Sequence, residues 1–597
     1  MPGRYGAYPF LRLDRGARVS ARTFGGVTLP RPAPSADRGP GDDSFYDLVE
    51  ERFRRIVEAD PVLATNLGIH AWDDRMPDGG RDRILGRLDD DRRHLAAIEA
   101  IDPESLSPGV AFERDLEIHN VRGSIFEVDI LRRWERHSSA AEGVGDALFM
   151  LFIRDFGTPD QRFDALAGRI EAVPRYLEEH RTRARGPQER IWQEQEIVSG
   201  RSVPSFLEEI VAAAGELTLP TGLVARLRRA ATRATAAVET HLAWVQDGLG
   251  HATDGWALDR ERYDELIRLR AFDGLDADAI LAIGWEQLEL NHAMRVSAAR
   301  ELDPEASEAE VVERTKSDHA ATFAEALDEY RAAMARARRH LIEHDLVTVP
   351  PDERVLVLAT PPFLRNVMPF AAYYAPASFD PDPVGTYIVT PSVDGDPAAI
   401  REHYRASISN TSIHEAYPGH HLQLAIAARH PSLTRLFADA TEFIEGWGMY
   451  SEQMMREESF DDGPAFRLAL ATDAIWRAAR IILDVRMHRG ELTIEEATDF
   501  LVEHTRFERP NAAAEVHRYT STPTYQLSYL LGKVLLLGLR EDERRRRGGA
   551  FSLRDFHDTL LRNGSLPISF HRRLLAGQSQ PLAGRPAIAV ERAAARV

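Results

Sequence analysis

LPTGLVARLRRAATRATAAVETHLAWV, residues 219–245, sets the texture of most of this chain. Ala, Leu and Arg dominate it, and all are good helix formers. The same amphipathic texture recurs in DRILGRLDDDRRHLAAIEAI (82–101), GVAFERDLEIHNVRGSIFEVDIL (109–131) and TFAEALDEYRAAMARARRHLIEH (322–344), each predicted as a long helix. Upstream, Phe45, Leu48, Phe53 and Ile56 fall at helical spacing, and Pro61 stands just past the end. Charge-dense stretches such as DDDRRH and ARARRH read as solvated helix faces. The fold class expected is mainly α, one large helical body.

Two regions depart from this pattern. Residues 1–43, rich in Gly, Pro, Arg and Asp, are expected to form a flexible N-terminal tail ahead of a body spanning 44–597. Residues 350–395 are proline-rich and carry the β-branched and aromatic runs VLVLAT and TYIVT, so a small sheet is expected near 354–391. Its last segment, GTYIVTP (385–391), is a candidate for pairing with an extended peptide by strand addition.

Composition narrows the function classes. The chain has 597 residues, room for several domains or one large body, and 44% are apolar. Lys plus Arg number 74 and Asp plus Glu 94, a net charge of −20, which argues against nucleic acid as a partner. With no cysteine, thiolate nucleophiles, Fe–S clusters and Cys-bound zinc are excluded, so any metal must sit on His, Asp or Glu. No run of 18 apolar residues suggests a membrane span, and MPGRYGAYPFLRLDRGARVSARTFGG lacks the apolar core of a signal peptide. A cytoplasmic location is the expectation. Neither an internal repeat nor a Gly-rich phosphate loop is present.

The chemistry concentrates at Ser412-Ile413-His414-Glu415-Ala416-Tyr417-Pro418-Gly419-His420-His421-Leu422-Gln423. With 21 histidines in 597 residues, eight positions hold about 0.3 by chance, yet 414–421 hold three beside a Glu. The spacing is not H-E-x-x-H, because Pro418 occupies the i+4 position. On a straight helix His420 points away from His414, and His421 lies roughly 10 Å along the axis. A helix broken at Pro418-Gly419 would bring His420 back beside His414, leaving His421 as the rival. A carboxylate on the next helix, TEFIEGWGMYSEQ, completes the set. Glu445 is the choice, since Gly446 and Gly448 allow close backbone approach around Trp447. Glu442 is its rival, and Glu452 is placed to receive a histidine N–H. In RYTSTPTYQLSYLLGK (518–533), Tyr519 and Tyr529 flank a break at Pro523, and a phenol aimed at a carbonyl oxygen would stabilise an oxyanion. Lys533 and Arg518 read as solvated charges, and His70, His119 and His517 as core or surface residues.

HEAYPGHHLQ, IEGWGMYSE, RYTSTPTYQLSYLLGK and ADPVLATNLGIHAWDD (59–74) resemble the family called domain of unknown function 885, over roughly residues 44–575. That family is grouped with the gluzincin metallopeptidases and is similar to carboxypeptidase Taq, thimet oligopeptidase and angiotensin-converting enzyme. The resemblance implies a mostly helical fold, in two halves around a deep active-site cleft with a short sheet along it. It implies metal ligation by two His and a following Glu. The Gly-His ending of the dipeptidyl peptidase III motif aligns with Gly419-His420. The ten-residue separation of Tyr519 and Tyr529 resembles the oxyanion pair of angiotensin-converting enzyme. The two extra residues between the histidines depart from the family pattern.

The function expected is hydrolysis of a peptide or related amide by one Zn²⁺ on His414, His420 and Glu445. Glu415 is the expected general base, with Tyr529 and Tyr519 at the oxyanion. The expected partner is a peptide or small amide substrate, with neither nucleic acid nor membrane. Competing readings are a non-peptidase amidohydrolase acting on a small conjugate and a non-catalytic helical binding protein. A third is iron or manganese redox chemistry on the same donors.

Overall fold

The computed structural model describes residues 23–33, 37–360, 365, 371–391 and 397–577. The chain is mainly α-helical, as the repeated amphipathic texture predicts. The four quoted segments form helices at Arg81–Glu99, Pro108–Ile125, Thr221–Gly248 and Phe323–Glu343. Their starts follow from local chemistry. Thr322 accepts from the Glu325 N–H while the Glu325 carboxylate returns to the Thr322 N–H, a reciprocal cap. Pro108 occupies a first-turn position, where its missing N–H costs nothing. The expected helix over 109–131 widens into a π-helical stretch at Phe126–Leu131. The entry helix Asp42–Ala59 buries Phe45, Val49, Phe53 and Val57, one apolar stripe at four-residue steps. Among the described residues no helix is long and apolar enough to cross a membrane.

Residues 1–22 and 34–36 of the expected tail lie outside the described residues. Within the rest, β1 (Thr23–Phe24) and β2 (Val27–Thr28) form a small antiparallel hairpin. Its turn is Gly25-Gly26, with φ of +56° and +86°, values that only glycine adopts freely. Phe24 and Leu29 are buried with Phe45, Phe53 and Ile69, so this part is docked on the body. His70 ties the same region to the later chain. Its ring stacks on Phe156 at 4.1 Å, and its nitrogens meet Asp73 at 2.8 Å and Asp380 at 3.3 Å. Burial opposes charge on this imidazole, but the two carboxylates outweigh it and push its pKa up to about 9.

The sheet forms where expected, from β3 (Val355–Ala359), β4 (Ala371–Tyr374) and β5 (Gly385–Val389). The order is β3-β5-β4, with β3 parallel and β4 antiparallel to β5. This corrects one expectation. Tyr387 of β5 faces Val357 on one side and Tyr373 on the other, and all five residues of β5 are buried. Both edges of GTYIV are therefore filled, and an extended peptide has no free main-chain row to join there. One apolar core joins the sheet to the helices beside it, through Val357, Tyr387, Ile413, Trp447, Ile481 and Leu531.

Candidate metal centre

The helix Arg405–Glu415 carries His414 in its last turn and ends there, and a second helix, His420–Ala427, begins with His420. The break is built by the sequence between them. The Tyr417–Pro418 peptide bond is cis, and Pro418 has no N–H with which to continue a helix. The Gly419 N–H turns back to the Ile413 carbonyl at 3.0 Å. A Cβ on Gly419 would stand 1.8 Å from the His414 carbonyl oxygen, so only glycine fits. The Trp447 indole N–H donates to the Pro418 carbonyl at 2.8 Å and fastens the break to the next helix. The His414 and His420 rings are thereby brought to 4.7 Å between centroids, nearly perpendicular at 86°.

The third group comes from the helix Thr441–Glu457. Glu445 Oε2 lies 3.7 Å from His414 Nε2 and 3.3 Å from His420 Nε2. All three donor atoms fall within 4.8 Å of one another, the one such group of three or more His, Asp or Glu residues among the described residues. Two imidazoles and a carboxylate are the donor set of open zinc sites, whose bonds of about 2.0–2.1 Å give donor–donor edges of about 3.4 Å. The residues present fit such an ion. The group is largely buried, with 10% of each histidine side chain and 13% of Glu445 left exposed. Glu452, one of the predicted supports, accepts from His414 Nδ1 at 2.6 Å, which aims the ring's Nε2 at Glu445. Asn410 in turn donates to Glu452 at 2.9 Å and to Asp473 at 2.8 Å. Burial disfavours charge on His414, but Glu445 and Glu452 more than offset it, and its pKa is pushed up to about 10. Burial likewise opposes ionisation of Glu445, yet the two imidazoles hold its carboxyl well below the usual range. The Nδ1 of His420 is buried with no protein partner among the described residues.

The rivals lie elsewhere. His421 points away from the group. Its Nε2 meets Glu353 at 2.6 Å and its Nδ1 meets the Tyr373 phenol at 2.9 Å. Glu353 also accepts from Tyr417 at 2.6 Å and Arg338 at 2.7 Å, so this cluster anchors the second helix to the start of β3 and to β4. Glu442 is buried against Arg270, 3.4 Å away. Glu415 ends the first helix half-buried and takes no hydrogen bond among the described residues. After burial itself, its charge contributes to holding the phenols of Tyr330, Tyr373 and Tyr387 above their usual pKa. Lys533, expected as a solvated charge, is instead buried, and burial lowers its pKa.

The tyrosines divide. The helix Ser528–Arg547 crosses Thr441–Glu457 where Gly532 meets Gly446, and a Cβ on Gly532 would stand 2.0 Å from the Glu442 carbonyl oxygen. That contact sets Tyr529 beside the group. Tyr529 donates to the Tyr525 phenol at 3.2 Å, and Tyr525 donates to Glu445 Oε1 at 2.9 Å. Burial, followed by the charge of Glu445, raises the pKa of both phenols. Tyr519 is not brought to the group. It is fully buried, donates to Glu515 at 2.8 Å, and accepts from Trp476 and Arg480, each at 3.1 Å. Tyr525 was not singled out from the sequence. Its position depends on the turn before it, where Thr524 has φ +67° and its N–H is held by buried Asp484 at 3.0 Å. Asp484 also accepts from Tyr263 at 2.6 Å, and burial pushes its pKa up to about 7.

Residues 61–575 match the family described as bacterial protein of unknown function (DUF885). Two solved structures share the fold. A candidate lipoprotein from Colwellia psychrerythraea superposes with a TM-score of 0.78 at 18% identity, covering 90% of this chain and 99% of that one. A candidate lipoprotein of unknown function from Shewanella oneidensis gives 0.73 at 19% identity, covering 89% and 99%. No curated protein matches the sequence.

Proposed function

The chain belongs to the DUF885 family, and we propose that it is a metal-dependent hydrolase of a peptide or related amide bond, similar in plan to the gluzincins. The observation that carries this reading is the convergence of His414, His420 and Glu445 donor atoms within 4.8 Å, with about a tenth of each side chain left exposed. By donor chemistry the ion is zinc, and when bound it would make a water more acidic and polarise the scissile carbonyl.

The chain's own residues supply the rest. Glu452 fixes His414 so that Nε2 faces the group. Glu415, half-buried and free of hydrogen bonds among the described residues, receives the proton of the attacking water and passes it to the leaving amine. Tyr529 turns its phenol from Tyr525 to the developing oxyanion. Tyr525 keeps Glu445 in place. Tyr519 serves from a distance, by positioning Arg480 behind the Tyr529 ring, whose centroid lies 4.8 Å from the guanidinium.

The test combines metal analysis of the purified protein with a panel of peptides and acylated amines. Wild type should hold one zinc per chain and cleave at least one class. Glu415→Gln should keep its zinc and lose turnover by about 10²–10⁴-fold. Absence of bound metal, or full activity in Glu415→Gln, would overturn the proposal.

A further inference from the structure

Arg477, in the helix Pro464–His488, has a guanidinium that the protein holds but does not satisfy. Its plane lies over Trp476 at 3.9 Å from the ring centre, and the Tyr529 ring is 5.9 Å away. Yet Nε and Nη1 are buried with no hydrogen-bond partner among the described residues. The nearest carboxylate, Asp473, stands 3.8 Å off, and its other oxygen is taken by Asn410 at 2.8 Å. Arg480, one turn along the same helix, shows the contrast. Its Nε and Nη2 are both bonded, to Tyr519 at 3.1 Å and Glu515 at 3.0 Å. Two guanidinium nitrogens withdrawn from water with no hydrogen bond, and with only a 3.8 Å ion pair to Asp473, are costly, and the planar fork suits a carboxylate. The side chain keeps 18% of its surface open, so a ligand can reach it.

We propose that Arg477 anchors a carboxylate on the substrate, which makes the substrates acidic amides: peptides or acyl conjugates bearing a free carboxylate near the scissile bond. This deepens, and rests on, the hydrolase reading of the neighbouring group. The carboxylate has two possible sources, the C-terminus of the substrate or an acidic side chain. Tyr529, shared between the guanidinium and Tyr525, would register the bound carboxylate against the donor group.

Binding without turnover tests the proposal. The full-length Glu415→Gln protein, loaded with zinc, is titrated calorimetrically with three N-benzoylated dipeptides. One is a free acid, one is the same dipeptide as its C-terminal amide, and one is an aspartyl dipeptide amide. At least one acidic probe should bind about 10- to 100-fold more tightly than the neutral amide, the range for a charge-assisted hydrogen bond. Which acid wins identifies the source. Adding Arg477→Gln should abolish the ratio, and Arg477→Lys should restore only part of it, because an ammonium lacks the fork. Equal binding of all three probes, or a ratio that survives Arg477→Gln, overturns the anchor. Hydrolysis of the same probes by wild type is scored separately. An acid preference with no cleavage anywhere in the panel of peptides and acylated amines sinks the hydrolase reading alone, and cleavage without preference sinks the anchor alone.

Discussion

Gly448→Ala asks whether His414 is held for a ligand or merely packed. Gly448 lies three residues past Glu445, under the face of the His414 ring. A Cβ there would stand 2.6 Å from Cε1, 2.8 Å from Nδ1 and 2.9 Å from Nε2. Ordinary contact begins at 3.4 Å, so the ring must retreat by about 0.8 Å. It cannot do so freely, because Glu452 grips Nδ1 at 2.6 Å from the same helix as the new methyl group. The retreat pulls Nε2 away from Glu445, and zinc affinity should fall about 10- to 100-fold, or about 1.4–2.7 kcal/mol. Ala gains up to about 1 kcal/mol over Gly in a helix interior, so the melting temperature should change little. Gly446→Ala is the contrast. Its Cβ meets Gly532 backbone at 2.5 Å and should weaken the fold itself. The assay is competition for zinc against a chromogenic chelator, paired with thermal melts. If Gly448→Ala binds zinc within twofold of wild type and melts normally, the ring is not a poised ligand.

Two further outcomes concern pH. Asp484 titrates near 7 when folded and near 3.8 when unfolded, so the native state binds the extra proton between those values. Stability should therefore fall as pH rises from about 4 to 7, by at most about 4 kcal/mol, and denaturant titrations of Asp484→Asn should lack that slope. An identical slope in the variant would assign the effect to another group. His70 has the opposite ordinary charge but the same sign of slope. Its stabilisation is complete below about 6.5 and fades as pH passes about 9. Its side chain is partly exposed, so after screening the loss is about 1 kcal/mol. His70→Gln should be less stable than wild type at pH 6 and nearly equal to it at pH 10, and a constant gap across that range would refute the ion-pair account.

The helical body was legible because its segments repeat one period over many turns. The His414, His420 and Glu445 grouping was legible because residue type and the Pro418-Gly419 break are local facts. The long-range context was harder to read. GTYIV carries the same letters whether it lies at an edge or in the middle, and its short Tyr387-Ile388-Val389 run with Thr386 does not by itself tell a covered strand from an edge one. Gly25-Gly26 between two extended pairs was a hairpin signal inside a segment that composition alone assigned to a tail. The approach of Tyr525 in place of Tyr519 turned on a single left-handed residue, Thr524, and on Asp484 forty positions upstream. No periodicity encodes either.

The indole of Trp447 sits two residues after Glu445 and one before Gly448, and it grips the backbone of the broken segment through Pro418. Any sliding of that helix must therefore drag the loop that launches His420, while Glu452 tows His414 along with it. The three donors travel as one strutted frame. On this geometry a displacement of that helix is expected to carry the three donors together rather than to spread them.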